Sequence, residues 1–482
     1  MPNTPHQQKQ EAGITTIMVI AFMGIFLLIL GTITSFVLEE SRYGRALYNR
    51  EQALHVAEAG VEYYRWYLAH NPNDLTNGTG GAGPYPYDVT DPETGQTLGS
   101  ASISITGNSQ CGVVQSIDIV STGRSSIDSG FPRTVIAHYM QPSIAGYSYL
   151  LNSNVWAGPT RVITGPYFSN NGIRMDGVNY SDVSSAVATW SCSPSFGCSS
   201  PSQTKNGVFG AGSGSALWHY PVASIPFNNI TTDLSTLKTR AQNNGGLYFA
   251  PAAGIPDQRG YHLVFKNNGT VDVYRVTSTT AVQGSADGSA WTTEHNIIAG
   301  QTLVGNYTIP SACSVIFVED RAWIEGVVSK KVTVAAADFI GGTNPSAFLP
   351  NNITYTVYDG SAGLTVIAAG DVLLTLNSPD VMEIHGIFVA QTGRYGRNLY
   401  TTSGSNRVPS VYNSYVLQSQ LTTVGTVVSN LRTGTAWIDG GGTTVSGYQT
   451  RIDSYDQLQA TNPPPFTPTA SLNYQFVSWR EQ

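Results

Sequence analysis

The four cysteines are the residues of this sequence whose spacing most directly suggests chemistry. Cys192 and Cys198 are separated by a short stretch that includes a proline and a glycine, so they could close a small disulfide loop in an oxidising compartment. Cys111 and Cys313 lie far apart in the chain and either pair or stay free. Zinc is an alternative for the close pair, but no histidine follows at ligand spacing. The sequence therefore predicts a Cys192–Cys198 disulfide and leaves the other two cysteines open.

Catalytic and metal-binding groups form no recognisable signature. The histidines occur in no HExxH, GxSxG or Cys/His motif, and His385, in the alternating segment EIHGIFV, is typical of a strand residue. Four acidic residues could supply the acid and base of a glycosidase if two of them met in space: Asp320, Glu325, Asp371 and Asp380. Asp88 and Asp91 could bind calcium, but EF-hand spacing is absent. We expect a protein that is not an enzyme and has no catalytic residue, metal ligand or cofactor.

The composition argues against a nucleic acid as partner. The chain has 24 Lys and Arg against 31 Asp and Glu, for a net charge of −7, whereas phosphate recognition needs a concentrated basic surface. Only 11% of the residues are charged, and the 50 glycines occur among many Thr, Ser, Val and Tyr residues. Such a balance is typical of short strands separated by turns, in a chain long enough for more than one domain.

A long helix is predicted near the N-terminus. Residues 14–38 contain no Asp, Glu, Lys or Arg, and a helix of that length, at ~1.5 Å per residue, reaches about 37 Å, enough to cross a bilayer. The run is longer than the apolar core of a secretory signal peptide. Apolar residues then recur at helical spacing as far as Ala69, so we expect one helix of roughly 85 Å. The flanking charges do not indicate its orientation.

The residues around this helix resemble those of type IV prepilins. A short polar leader ends in Gly13, an apolar helix starts at Ile14, and an amphipathic helix follows. Over about the first seventy residues the chain resembles the PilX-type minor pilins, whose Leu-Glu-Glu and Ala-Glu-Ala segments are matched here by Leu38, Glu39, Glu40, Ala57, Glu58 and Ala59. The resemblance implies that a prepilin peptidase cuts between Gly13 and Ile14, that methylation accompanies processing, and that the helix packs with other pilin subunits in a membrane and then in a filament.

One position departs from the pilin pattern. Major pilins usually have Glu at the fifth mature position, where its carboxylate meets the N-terminal amine of a neighbouring subunit, but this chain has Met18 there. Because a buried charge needs a partner, a subunit without that Glu cannot offer the pair. The departure favours a minor subunit, such as one at a filament tip, over the repeating subunit of the shaft.

The remainder of the chain is predicted to be β structure. We expect a leader at residues 1–13, a transmembrane and amphipathic helix at 14–70, a linker at 71–85, an antiparallel meander at 86–141 and a β-rich, solenoid-like domain with long loops at 142–482. In the meander, Asp91–Gly95 has the composition of a hairpin turn. In the large domain, four glycine-centred segments alternate β-branched or aromatic residues with small polar ones: Val162–Ile173, Trp323–Val334, Glu383–Gly393 and Val424–Arg432. They favour a β-solenoid, with a β-sandwich as the alternative.

Three further segments are assigned by composition. Residues 189–225 and 277–310 are expected to be long loops, where binding functions tend to sit. The C-terminal residues, with several aromatic side chains after a proline-rich arm, are expected to lie across the large domain as an edge strand. Removal of residues 1–70 is expected to leave a folded β domain, because the long apolar run lies in that segment.

The fold class is thus α+β, mostly β, with a long N-terminal transmembrane helix, a small antiparallel meander and a large β-solenoid-like domain. The favoured function is that of a minor pilin-like subunit which anchors an extracellular β domain for adhesion, to a surface or carbohydrate receptor, or for assembly priming. It would lie in the inner or cytoplasmic membrane before assembly and at the cell surface afterwards. The alternative is an exported β-solenoid carbohydrate-active enzyme, held by an uncleaved anchor.

Overall fold

The computed structural model describes residues 8–72, 74–230 and 233–482, with the side chains of 8–13 and 229 excepted. Residues 1–7 of the expected leader therefore lie outside the described residues. The chain begins with the predicted long helix, α1 (Gln8–His70). Hydroxyl groups within its apolar half donate to carbonyl oxygens of the preceding turn, as Thr34 Oγ1 does to Leu30 O at 2.7 Å, so the polar atoms there are satisfied inside the helix. The helix ends where Pro72 follows, because proline disfavours helical geometry in the residue before it.

The other elements are short helices and many strands. The helices are α2 (Phe227–Ile230), α3 (Leu234–Asn243) and α4 (Gln457–Thr461). The strands of the first half of the chain are β1 (Tyr85–Thr90), β2 (Thr97–Gln110), β3 (Val113–Ser125), β4 (Arg133–Met140), β5 (Tyr149–Leu151), β6 (Val155–Ala157), β7 (Arg161–Ile163), β8 (Tyr167–Ser169), β9 (Ile173–Met175), β10 (Val178–Asn179), β11 (Val183–Ser185), β12 (Thr189–Cys192), β13 (Gln203–Asn206), β14 (Val208–Phe209) and β15 (Trp218–His219). Those of the second half are β16 (Leu247–Phe249), β17 (Gly260–Phe265), β18 (Thr270–Ser285), β19 (Trp291–Thr308), β20 (Val315–Val318), β21 (Ala322–Val328), β22 (Lys331–Ala336), β23 (Ala347–Leu349), β24 (Ile353–Tyr355), β25 (Gly363–Ala368), β26 (Val372–Leu374), β27 (Val381–Ala390), β28 (Tyr395–Gly396), β29 (Leu417–Ser429), β30 (Ala436–Ile438), β31 (Thr444–Ser454) and β32 (Gln475–Glu481).

The smaller of two compact units contains the described residues up to Thr106, together with Asp118–Ala137 and Trp479–Gln482. The small sheet has the strand order β1-β2-β3-β4-β32. The expected hairpin is present: β1 and β2 are antiparallel, the Glu93 amide donates to Asp91 Oδ1 at 2.8 Å, and Gly95 takes φ 72° in the turn. The C-terminal strand is an edge strand, as expected, but of this sheet, next to β4.

The larger unit, Gly107–Ile117 and His138–Ser478, is a parallel β-solenoid. Its longest ladder of parallel strands has the order β16, β20, β22, β25, β27, β29, β5, β8, β11 and β15. A second ladder has the order β17, β21, β23, β26 and β28, and a third has β21, β24, β27, β29, β31, β7 and β10. Parallel stacking of successive coils confirms the predicted solenoid and excludes the β-sandwich, whose sheets are built from antiparallel strands.

The central strands of the longest ladder bury both faces. On β25, Leu364, Val366 and Ala368 belong to the cluster inside the solenoid, whereas Ile367 belongs to a second apolar cluster on the other face. This second cluster also contains Leu237 of α3. Alternating side chains point to opposite faces of a strand, so a strand covered on both sides must be apolar at nearly every position. That requirement explains the continuous apolar runs of this part of the sequence.

The coils of the solenoid are not stacked in the order of the chain. Strand β29, which ends at Ser429, pairs with β5, which begins at Tyr149, and the coils of residues 149–219 continue the stack from there. The chain then returns from β15 at one end of the long ladder to β16 at the other end, through residues 220–246. The described part of this return segment includes α2 and α3, and the side chain of Asp233 caps α3 by accepting from the Ser235 amide at 3.0 Å.

The two insertions differ from expectation. Residues 277–310 form most of an antiparallel hairpin, β18 and β19, instead of a loop. Thr, Val and Ile are frequent in this stretch and favour strands. Their strand propensity outweighs the weak strand propensity of the Ser, Gly and Ala residues that suggested a loop. Residues 189–225 contain the hairpin β12–β13 and the short strands β14 and β15.

Candidate functional sites on the N-terminal helix and in the solenoid

The apolar half of α1, residues 14–38, is exposed along its whole length. Residues 14–38 are exposed at every position, with Leu28 at 72%. From Ile14 onwards the helix contains a window with a mean hydropathy of 2.6, and by length and composition it could span a membrane. Exposure of so much apolar surface to water is unfavourable, so this half needs lipid or other apolar helices around it.

The second half of α1 is packed on the small sheet. Ala53, Val56, Ala57 and Tyr64 are buried in the smaller unit. The motif residue Ala57 lies against β3: a Cβ placed on Gly123 would come within 2.4 Å of the Ala57 nitrogen. The helix backbone can approach the strand so closely because the strand carries a glycine at that point.

Three glycines make this close approach. A Cβ on Gly60 of α1 would lie 2.4 Å from Ser121 Oγ, one on Gly99 would lie 2.8 Å from Val56 Cγ2, and one on Gly123 would lie 2.2 Å from Ala53 O. Sequence reasoning missed Gly99 and Gly123. Each interrupts an alternating strand pattern, which is a signal for a close backbone approach.

The motif residues of the PilX-type resemblance fall on both halves of the helix. Leu38, Glu39 and Glu40 are exposed, and Glu39 Oε2 lies 3.9 Å from Arg42 Nη1. Ala57 is buried and its neighbours Glu58 and Ala59 are partly buried. The segments Leu38–Glu40 and Ala57–Ala59 are separated by roughly 25 Å of helix, so they do not form one site. Gly13 and Ile14 are helical residues at the start of the apolar half.

All four cysteines form disulfides within the larger unit. Cys192 and Cys198 are bonded, with their Cα atoms 5.8 Å apart, in the segment that contains β12. Cys111 is bonded to Cys313 across 202 residues of sequence, which joins the turn between β2 and β3 to the segment before β20. The Cys111 amide also donates to Ala312 O at 2.8 Å. Sequence alone could not assign the second pair, because nothing local brings its partners together.

The acidic residues considered as a catalytic pair have separate structural partners. Asp320 Oδ2 accepts from the Ala252 amide at 3.0 Å, and burial raises the pKa of this carboxyl. Asp371 accepts from the Arg394 amide at 2.7 Å, and Asp380 accepts from the Ser419 amide at 2.9 Å. These three bonds fix backbone turns.

Two other sequence candidates form histidine–glutamate pairs: Glu325 contacts a histidine, and His385 contacts a glutamate. Glu325 accepts from the His262 ring at 2.8 Å. His385 is buried on β27, with Nε2 2.6 Å from Glu383 Oε1 and its ring 5.3 Å from that of Tyr355. The His385 contacts are those of a strand residue held by its neighbours, as the alternating sequence around it predicts.

Glu325 lines a cleft of about 460 Å³ in the larger unit. Strands β17, β19 and β21 and the turns after β23 and β26 contribute to its wall. The lining residues are His262, Asn296, Ile298, Gln301, Trp323, Glu325, Pro350, Asn351, Asn377, Pro379 and Tyr415. Most of these are polar or aromatic, and the polar side chains carry hydrogen-bonding groups that a ligand could use.

Hydrogen bonds fix the polar wall of this cleft. The His262 ring bridges two side chains, with Nδ1 2.8 Å from Gln301 Oε1 and Nε2 2.8 Å from Glu325 Oε1. Buried Trp323 donates from Nε1 to Asn296 O at 2.7 Å. Asn296 donates from Nδ2 to Tyr400 Oη at 2.8 Å, and its Oδ1 has no hydrogen-bond partner. Sequence reasoning missed Asn296 and Gln301, because both lie in the stretch expected to be a loop.

A second cleft, of about 490 Å³, has a different lining. Its residues are Ala281, Val282, Gln283, Thr293, Arg407, Val408, Pro409 and Ser410. Here the polar side chains are fewer, and Gln283 is already engaged, donating to Thr293 Oγ1 at 2.8 Å. No group of three or more His, Cys, Asp or Glu residues suited to a metal ion occurs within residues 8–72, 74–230 and 233–482.

Comparison with known proteins adds a weak structural similarity to a pilin. The chain matches no protein-family model and no curated protein sequence. Among solved structures it is similar to the competence-associated pilin ComZ from Thermus thermophilus, with 12% sequence identity and a TM-score of 0.31, over 90% of this chain and 97% of that chain. A TM-score this low does not establish a common fold, so the function has to be inferred from the helix and the cleft themselves.

Proposed function

We propose that this protein is a minor pilin-like subunit, of the PilX type, of a type IV pilus or a related filament. The observation that carries the proposal is the division of α1. Residues 14–38 expose a continuous apolar surface, whereas Ala53, Ala57 and Gly60 pack closely on a sheet of the same unit. A helix divided in this way holds its own domain with one half and offers the other half to lipid or to similar helices.

In this proposal the subunit begins in the inner or cytoplasmic membrane with its β domain outside the cytoplasm. A prepilin peptidase cuts after Gly13, Ile14 becomes the methylated N-terminus, and the apolar half then passes from lipid into a bundle of pilin helices. Both environments are apolar, so the transfer exposes little surface to water. The β domain then faces the surroundings at the cell surface, where it serves adhesion or the priming of assembly.

The proposed position is the tip of the filament. Met18 lies in the exposed apolar half, at 59% exposure, at the position where a major pilin has its Glu. A tip subunit has no neighbour beyond it whose amine requires a carboxylate, so a methionine costs nothing at that place. Within the shaft the same methionine would leave a buried amine without its partner.

The β domain acts by binding in this proposal, without catalysis. Glycoside hydrolysis requires two carboxyl groups facing one substrate. Among the described residues that line the cleft, Glu325 is the one carboxylate, and Asp320, Asp371 and Asp380 are engaged elsewhere with backbone amides. These contacts support the binding function over the exported enzyme that the sequence leaves open.

The proposal is tested at the cleavage point. In cells that carry a prepilin peptidase, Gly13→Leu should leave a longer precursor in the membrane, because a bulky side chain next to the scissile bond blocks processing. Gly24→Leu is the matched control: it adds the same side chain to the same helix, at a position with nothing within 4 Å. N-terminal sequencing and gel mobility of both variants give the result.

Two outcomes contradict the proposal. One is a Gly13→Leu protein that is shortened like the wild type. The other is a wild-type protein that retains Met1 or Pro2 when isolated from cells with an active prepilin peptidase.

A further inference from the structure

The cleft next to Glu325 has the features of a prepared binding site. Its wall combines side chains from β17, β19 and β21, which are distant in sequence and meet through the antiparallel β17–β18–β19 pairing and the parallel β17–β21 pairing. His262 holds Gln301 and Glu325 in place through one polar atom of each side chain. The second polar atom of the Gln301 amide and Glu325 Oε2 take no part in these two bonds. An amide group and a carboxylate oxygen are thus held side by side.

Two further side chains of the lining have unsatisfied acceptors. Asn296 is 2% exposed, and its Nδ2 donates both to Glu294 Oε2 at 3.0 Å and to Tyr400 Oη at 2.8 Å. These bonds fix the orientation of the amide, so its unpartnered Oδ1 cannot exchange places with the nitrogen. Asn377 Oδ1 is likewise buried without a partner. Buried acceptors without partners are costly, and a ligand that brings hydroxyl donors would satisfy them.

The charge of the lining limits the class of ligand. No Lys or Arg occurs among the described residues that line the cleft, and Glu325 places a carboxylate there. A phosphate or carboxylate ligand would therefore meet a carboxylate without a Lys or Arg to balance it. Ile298, Pro350 and Pro379 add apolar surface, against which the C–H groups of a ring could pack.

We propose that this cleft binds a neutral saccharide. A sugar ring carries neighbouring hydroxyls that both donate and accept, which matches the fixed amide, carboxylate and asparagine oxygens, and its C–H faces match the apolar residues between them. The cleft volume of about 460 Å³ lies within the roughly 300–1,000 Å³ typical of small-ligand sites. A single carboxylate suits binding and not hydrolysis.

This inference names a ligand for the adhesive role in the proposed function, but it does not depend on filament assembly. Absence of sugar binding would leave the processing of Gly13 untouched. Failure of processing would leave the cleft and its hydrogen bonds unchanged. The two experiments can therefore fail separately.

The test is isothermal titration calorimetry of the full chain in detergent. The probes are glucose, galactose, mannose and N-acetylglucosamine, the disaccharides maltose, lactose and chitobiose, and glucuronate as an acidic probe matched to glucose in shape. We expect saturable binding of at least one neutral sugar and weaker binding of glucuronate than of glucose.

Three variants locate the binding. Gln301→Ala and Glu325→Gln each remove one fixed ligand contact and should weaken the binding of the selected sugar about tenfold, as loss of a hydrogen bond to a polar ligand does. Gln283→Ala is the matched control, because it removes a glutamine from the other cleft and should change the affinity less than twofold. Glu325→Gln keeps the size of the side chain, so it remains informative if Gln301→Ala fails to fold, which thermal melting by circular dichroism will show.

Several results would overturn the inference. They are the absence of saturable binding for every neutral probe, binding of glucuronate at least as tight as that of glucose, and an affinity that Glu325→Gln leaves unchanged. A loss of affinity in Gln283→Ala equal to that in Gln301→Ala would also overturn it, because the sugar would then not be bound at this cleft.

Discussion

The first half of α1 and the solenoid differ in how far their apolar side chains are buried, as two leucines show. Leu28, on the first half of α1, is 72% exposed, whereas Leu364, on β25 of the solenoid, is fully buried. The solenoid covers its own apolar residues with neighbouring coils on one face and with a second apolar cluster that includes α3 residues on the other. The first half of the helix covers nothing and is covered by nothing among the described residues. The solenoid is therefore stabilised by contacts within its own chain. The first half of α1 depends instead on lipid or other apolar helices around it.

Truncation of the helix should change the difference between these two regions most. Removal of residues 1–42 should leave a protein that is soluble without detergent and mainly strand by circular dichroism, because the exposed apolar run is then gone and Ala53 and Val56 still cover the sheet. Removal of residues 1–70, which the sequence suggests, would also take away the half of α1 that covers the small sheet. We expect the shorter protein to aggregate in size-exclusion chromatography, and equal behaviour of the two truncated chains would contradict the structure.

The next largest effect should come from a buried ion pair inside the solenoid. Arg161 and Asp453 lie 2.5 Å apart on the adjacent strands β7 and β31, with side chains 7% and 2% exposed, and Tyr149 Oη donates to Asp453 at 2.9 Å. Asp453→Ala should cost about 3–5 kcal/mol, because it leaves the arginine buried without its charge partner.

The matched control for that pair is Asp182, which pairs with His219 at 3.2 Å at the surface. Its side chain is 62% exposed, so Asp182→Ala should change the free energy of unfolding by less than about 0.5 kcal/mol. Urea unfolding followed by circular dichroism measures both variants. A cost for Asp453→Ala no larger than that of its control would show that the solenoid does not depend on this pair.

A smaller effect is expected where the second half of α1 meets its sheet. Gly123→Val should destabilise the smaller unit by about 1–3 kcal/mol, because the new side chain would meet the backbone of Ala53 and Ala57. Gly44→Ala, on the same helix with nothing within 4 Å, should be neutral or stabilise by a few tenths to about 1 kcal/mol through helix propensity. Hydrogen exchange of the sheet amides distinguishes the two, and faster exchange in Gly44→Ala would contradict the packing.

The smallest effect concerns pH. Burial lowers the pKa of Lys331, at the start of β22, to about 8, whereas an unfolded lysine titrates near 10.4. Between these values the unfolded state binds more protons than the native state, so this group makes stability rise as the pH increases from 8 towards 10. Lys331→Met should remove that rise and stabilise the solenoid at pH 7 by about 1 kcal/mol, after allowance for partial exposure. Melting temperatures of wild type and variant across this range give the test, and parallel curves would contradict it.

Local patterns in the sequence predict the elements well. The uncharged run from Ile14 and the helical spacing that follows it predict α1, and the residues Asp91–Gly95 predict the β1–β2 hairpin, because both depend on neighbours within a few positions. The glycine-centred segments predict a solenoid, because each coil repeats the same chemistry. In these cases propensity, periodicity and turn composition all favour the same structure.

Contacts between distant residues could not be predicted in the same way. Cys111 and Cys313 meet only after the chain has folded, and Asn296 and Gln301 belong to a segment whose composition suggests a loop. The cleft depends on which strands become neighbours, and coils of similar composition do not specify their partners in the sequence. Glu325 is a candidate already in the sequence, but the residues that surround it in the candidate sugar site emerge from the structure alone.

The order of the coils also determines when folding can finish. Thr426 Oγ1 donates to Tyr147 O across 279 residues of sequence, where the late coils meet the early ones. As the chain is synthesised, residues 149–219 emerge long before the strand β29 on which they stack. The edges of these coils stay unpaired until β29 has been made, which leaves open strand edges for most of synthesis. We therefore expect this protein to depend on chaperones during that interval more than a solenoid of the same size whose coils stack in sequence order.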